Sequence, residues 1–326
     1  ARELTAATVG TVSPFHSASG LAAVRALVAH AQGDEAAVQR ATADFIRLGL
    51  VPVLGEPEET PAPAPSVGLP HGAAGRDLTL GRSSLLLTAA LLAGVLPADA
   101  PERSRLAEHS ARVAAELWRE LDALPPLLAQ EVPPNLGMAH GWAGYLYATL
   151  RFCRAFDASL PAGLERRASE LRVAAEPWRR GVRWRWNDGA ADRLAQTMPG
   201  WCNGSAGFVY LWTLAYRTWG EVRDLDLATS AAWNAWEGEE SGGSLCCGSA
   251  GRAYALLELA RATGETRWQE RAVVLADRAA VAIAAASEKA DSLYKGRIGV
   301  AVLAADLERP ESAAFPFFAD EGWGAS

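Results

Sequence analysis

A chain of 326 residues, half of them hydrophobic and 21% charged, has the length and balance to bury a substantial core as a soluble protein. Its net charge of −7 argues against a nucleic-acid binder, because neutralising phosphates needs a basic surface. No apolar run reaches the roughly 18 residues of a membrane span, and Ala1 to Gly10 lack the basic start and apolar stretch of a signal peptide. Only four cysteines occur, three of them clustered, where a disulfide-stapled secreted protein of this size would carry more, so a cytoplasmic setting is expected.

In chain order, residues 17–20 precede the apolar run LAAVRALVAHA, and 35–48 places apolar residues at helical spacing. GEPEETPAPAPS (55–66) is Pro-rich and aperiodic, and reads as an exposed loop. A Gly-x-x-Gly match at 72–75 leads into Gly81, which opens LLLTAALLAG, and 101–121 is amphipathic. Gly141 and Gly144 then precede YLYATLRF, followed by a helical pattern over 164–176. WRRGVRWRW (178–186) suits either a grip on an acidic peptide or bases, or an outer helix running into a loop. Gly204 and Gly207 precede FVYLWTLAY, Gly248 and Gly251 precede RAYALLELA, and Gly296 and Gly299 precede VAVLAADL, with another amphipathic stretch at 266–285.

Period-2 alternation is scarce, so the expected class is all-α. The Gly elements start 64, 60, 63, 44 and 48 residues apart, a spacing that fits one α-hairpin with its loops. Such hairpins cannot bury their faces alone and must stack; closing the stack removes its ends and gives an α/α toroid of inner and outer helices. Each Gly pair would let the loop turn tightly and bring backbone close to the centre.

The cysteines follow this register. Cys202 lies two residues before Gly204, and Cys246 and Cys247 lie immediately before Gly248. Three thiolates and one vacancy match a catalytic zinc site, which keeps an open position. Inert core thiols or a labile disulfide are the alternatives. Cys153, inside YLYATLRFCRAF, reads as a buried structural thiol. His140 directly precedes Gly141 as Cys247 precedes Gly248; His71 in LPHGAAG imitates it and is its rival for a central role. His16, His30 and His109 read as surface or packing residues.

GMAHG (137–141), WCNG (201–204) and LCCG (245–248), in that order and with SLYKGRIG and FPFF behind them, resemble the signatures of the lanthionine synthetase C-like family. The resemblance implies an α-toroid domain over 1–326 and zinc held by Cys202, Cys246 and Cys247. It implies a cyclase that adds peptide Cys thiols to dehydroalanine or dehydrobutyrine, forming lanthionine rings in a dehydrated precursor peptide. By position it makes His140 the acid/base residue and matches Asp77, four before Gly81, to a family acid. Cys247 stands where most members have a His ligand, and Met198 where a basic residue is expected. The third thiolate should leave a bound substrate sulfur more electron-rich. Helix N-terminal amides are candidates to hold the enolate oxygen.

Six inner helices are counted against the family's seven. Either one is disguised or part of the ring lies upstream; with the missing initiator Met, the count favours the C-terminal part of a longer synthetase over a free-standing cyclase, with a kinase/lyase or dehydratase as partner or fused domain. Thiol or glutathione addition to dehydroamino acids in proteins keeps the chemistry with another substrate, and a zinc-stabilised binding scaffold drops it. A toroidal glycosidase ranks last, since it needs paired carboxylates that these loops do not offer.

Overall fold

A computed structural model of the chain describes residues 14–54, 73–129, 134–186, 197–239, 242–285 and 291–319. The Pro-rich stretch 55–66 and His71 lie outside the described residues. Apart from one short β-hairpin, the regular elements within them are helical, as the spacing predicts.

Contacts sort the chain into two compact units, the first drawn from Ala1–Pro125 and Ala148–Leu164, the second from Pro126–Tyr147 and Glu165–Gly322. In the first, α1 (Ala18–Ala31) pairs with α2 (Glu35–Phe45), which Asp34 caps by accepting the Ala37 N–H at 2.9 Å. Two short turns, α3 (Val51–Val53) and α4 (Ala73–Arg76), lead to the hairpin of α5 (Arg82–Ala93) and α6 (Pro101–Ala123). Every residue of α5 from Ser83 to Ala93 is buried, because its sequence is apolar all round. In α6 only the stripe Leu106, Ser110, Val113, Ala114, Leu117, Trp118 and Leu121 is covered, at the spacing of one helical face. Trp118 then donates to Thr149 Oγ1 at 2.9 Å, tying α6 to the later turns of α7 (Trp142–Phe156).

The second unit repeats the plan. After α8 (Leu164–Val173) come the pairs α9 (Ser205–Trp219) with α10 (Val222–Glu237) and α11 (Ser249–Thr263) with α12 (Thr266–Ala285), then α13 (Arg297–Asp306). Again the first helix is buried on all sides, Ser205 to Ala215 and Ser249 to Leu259, and the second on one. Helices α9 and α11 end alike: Gly220 (φ 73°) and Gly264 (φ 71°) take the left-handed conformation and donate at 2.8 Å to Tyr216 and Ala260.

Two expectations need correction. The helix over 164–176 stops at Val173, since Pro177 disfavours helical backbone in the residue before it. WRRGVRWRW instead enters the strands β1 (Glu176–Trp178) and β2 (Gly181–Arg183), paired antiparallel. Its side chains are engaged within the unit. Trp184 stacks on Phe208 at 3.9 Å and donates to the Leu171 carbonyl at 2.8 Å, while Arg180 lies 3.9 Å from the Trp233 ring and pairs with Glu237.

A charged side chain also closes α10. Arg252, fully buried at the start of α11, donates to the carbonyls of Ala235 (2.5 Å), Trp236 (3.1 Å), Gly238 (3.0 Å) and Glu239 (3.3 Å). It thus satisfies the orphan C=O groups of the helix end. Arg252→Met should lower unfolding stability by about 2–4 kcal/mol, because removing one ionic donor strands several acceptors at once. Arg252→Lys, lacking the planar fork, should recover only part of it. Urea unfolding measures both.

Candidate metal centre

The site is built from the loops that enter α7, α9, α11 and α13, each ending in the first Gly of its Gly-x-x-Gly element. Gly204, Gly248 and Gly296 have extended φ values between −98° and −139°, which any residue can adopt. Glycine is needed there for room. A Cβ on Gly204 would fall on the Met198 carbonyl oxygen, and one on Gly207, Gly251 or Gly299 on the carbonyl oxygens of Trp201, Leu245 or Leu293. Each helix therefore starts pressed against its own loop, which the expectation of a tight turn did not foresee.

That closeness satisfies the helix starts. Trp142, Ser205 and Ser249 donate to the carbonyls of Asn135 (3.1 Å), Met198 (3.1 Å) and Gly242 (2.9 Å), in each case seven residues back. Ala143 and Ala206 donate in the same way to Leu136 and Pro199, both at 3.1 Å. These first amides are spent inside the loops, so the idea that they hold a substrate oxygen is set aside.

The loops are joined to one another by a backbone ladder. The Ala139 N–H donates to the Cys202 carbonyl (2.6 Å), Cys202 to Cys246 (3.0 Å), and Cys246 to Tyr294 (2.9 Å). All four are the residues two before their loop's Gly. The ladder aligns a second row immediately before the Gly, made of His140, Asn203, Cys247 and Lys295. Beneath it, Trp201 packs on Tyr294, Phe315 and Phe318 with ring centroids 5.5, 5.2 and 5.1 Å away, and the Tyr294 hydroxyl donates to the Pro316 carbonyl at 2.8 Å. The FPFF segment is thus the buttress of these loops.

The ladder brings the three cysteines together. Their sulfurs lie within 4.8 Å of one another, with Cys202–Cys247 at 3.3 Å and Cys247–Cys246 at 3.5 Å; all are free thiols. Cys202 is buried and the other two are half-buried. Hydrogen bonds from Cys202 and Cys246 hold the Cys247 thiol well below its ordinary range, and the charges of Lys295 and His140 add to this against the opposing effect of burial. Cys202 is raised by its bonds to Cys246 and Cys247 and by burial. Cys246 is lowered by Cys202 but raised more by its bond to Cys247 and by burial, and ends high. A soft donor set of this number and closeness fits zinc with one position left for another ligand.

His140 is exposed at the mouth of its loop, close enough for its charge to act on Cys247. Asp77 belongs to the first unit. It is 3% exposed, and its Oδ1 accepts the N–H of Thr79 at 2.9 Å and of Leu80, while its carbonyl accepts from Gly81 at 3.1 Å. Its carboxylate builds the turn that enters α5. Met198 Sδ stands 3.9 Å from Cys202 Sγ. Cys153 is the inert thiol expected, buried against the Ser159 carbonyl at 3.6 Å, with burial pushing its pKa up to about 11. Lys295, within SLYKGRIG, joins the site as well, and its register one residue before Gly296 is the sequence signal for it.

Comparison with known proteins agrees with this architecture. The chain superposes on nisin cyclase with a TM-score of 0.69 at 15% identity, covering 96% of this chain and 80% of that one, which identifies the fold as the α/α toroid. Over 123 residues it is 32% identical to glutathione S-transferase LANCL1 of Danio rerio, a match spanning 36% of this chain and 30% of that protein. The family described as lanthionine synthetase C-like protein matches residues 4–319, nearly the whole chain. The chain belongs to the lanthionine synthetase C-like family.

Proposed function

We propose that this chain is a zinc-dependent cyclase domain that adds the Cys thiols of a dehydrated precursor peptide to dehydroalanine or dehydrobutyrine, with Cys202, Cys246 and Cys247 as the metal ligands. The observation that carries the reading is the gathering of three sulfurs within 4.8 Å on loops that a backbone ladder locks together. Zinc, when bound, lowers the pKa of a coordinated thiol and so makes a thiolate available near neutral pH.

The protein's own groups carry the rest. Attack of sulfur on the β-carbon leaves an enolate, whose α-carbon must take a proton. His140, one residue before Gly141 and in electrostatic reach of the thiols, holds that proton as imidazolium and can first receive it from the incoming thiol. Asp77, the other catalytic candidate by position, shapes its own loop through the bond it accepts from the Thr79 N–H.

Purified protein should hold about one zinc per chain. Incubated with a dehydrated Cys-containing peptide, it should remove alkylatable thiols without changing the peptide's mass. A metal-free preparation that cyclises at full rate would sink the proposal. The match to a protein named glutathione S-transferase favours a second reading, addition of glutathione to dehydroamino acids. Glutathione in the same assay separates the two, since an adduct gains the mass of glutathione and a ring does not.

A further inference from the structure

We propose that Lys295 is a positioning residue of the three-thiol centre, its ammonium offsetting the surplus negative charge that three thiolates bring to a divalent ion and so strengthening metal retention. The inference rests on the reading of Cys202, Cys246 and Cys247 as ligands.

Geometry places Lys295 at the centre's edge. The Tyr294 carbonyl is the last acceptor of the ladder and takes the N–H of Cys246 at 2.9 Å, so Lys295 leaves the backbone directly after that bond. It occupies the row of His140 and Cys247, one residue before its loop's Gly. Its position is held on both sides: its own N–H donates to Ser292 Oγ at 3.1 Å, and the Tyr294 ring packs 5.5 Å from both Trp201 and Phe315. The side chain is exposed, and its charge is felt at both Cys246 and Cys247.

The charge count gives it a task. A divalent ion with three thiolates carries −1, and Cys202 among them is 5% exposed, so solvent screens that surplus poorly. A cation carried on the next loop offsets that charge. The ladder makes this addition possible without adding a ligand, since Lys295 sits on a different helix entry from any of the three cysteines.

The test is zinc affinity, measured by competition with a chromophoric chelator at low and high salt for wild type, Lys295→Met, Lys295→Gln and Lys295→Arg. Loss of the charge should weaken zinc binding about tenfold at low salt for both Met and Gln, and the gap should narrow at high salt as screening sets in. Arg should bind as wild type does. Because the side chain is exposed, circular dichroism and urea midpoints should be unchanged. Equal affinity of Lys295→Met and wild type at low salt would overturn the proposal, as would an Arg variant as weak as Met. A wild-type protein that binds no zinc would overturn the ligand reading itself, and this inference with it.

Discussion

Cys246→Ala and Cys247→Ala should each strip the protein of zinc and of cyclisation while leaving it folded. Structural zinc sites with four ligands hold the ion by about 10–16 kcal/mol, so each thiolate is worth roughly 3 kcal/mol and its loss about a hundredfold or more in affinity. Two remaining thiols cannot compete with ordinary chelators. The fold should survive because neither side chain is deeply buried, and because the bonds of Cys246 to Tyr294 and of Cys202 to Cys246 use backbone atoms that Ala keeps. Elemental analysis after dialysis against chelator, beside circular dichroism, checks both halves. Cys202→Ala should lose metal too, but Cys202 is 5% exposed, so some loss of stability should accompany it.

His140→Ala should keep its zinc and lose cyclisation by about a hundredfold to ten-thousandfold, the usual range for a general acid–base group. The histidine is exposed, lies on a different loop from the cysteines, and is not among the three clustered donors. Its removal therefore takes away a proton donor and leaves the sulfurs in place. The ladder bond from Ala139 to Cys202 is again backbone and persists. Single-turnover rates of thiol loss, with zinc content measured on the same samples, separate the outcomes. Loss of metal along with activity would make His140 a ligand, and loss of fold would make it structural.

Much of this architecture was legible because burial and backbone repeat together. The runs after Gly81 and Gly204 are almost wholly uncharged and are buried on all sides, as is the run after Gly248 despite Arg252 and Glu258, whereas the striped helices expose one face, so the sequence reports which helix of each pair lies inside. The cysteine trio was legible for the same reason, since its members share a register although Cys202 stands far from Cys246 in sequence. Other features left weaker traces. Strands of three residues are too short to show alternation, and the Arg and Trp of 178–186 fit several environments. The four acceptors of Arg252 come from the end of another helix, which no local pattern encodes. The glycines were legible as points of close backbone approach, but the neighbour they make room for, a carbonyl of their own loop, shows only once helix and loop are in contact.

The ladder from Ala139 through Cys202 and Cys246 to Tyr294 uses main-chain atoms alone. Side chains hung on it can be exchanged without disturbing the rungs, so the centre behaves as a rack whose fittings are set separately from its frame. On the ligand reading proposed above, exchanging His for Cys at 247 or placing a lysine at 295 changes the charge offered to a substrate by one residue at a time. Divergence of reactivity among toroids of this kind need not wait for any change of fold.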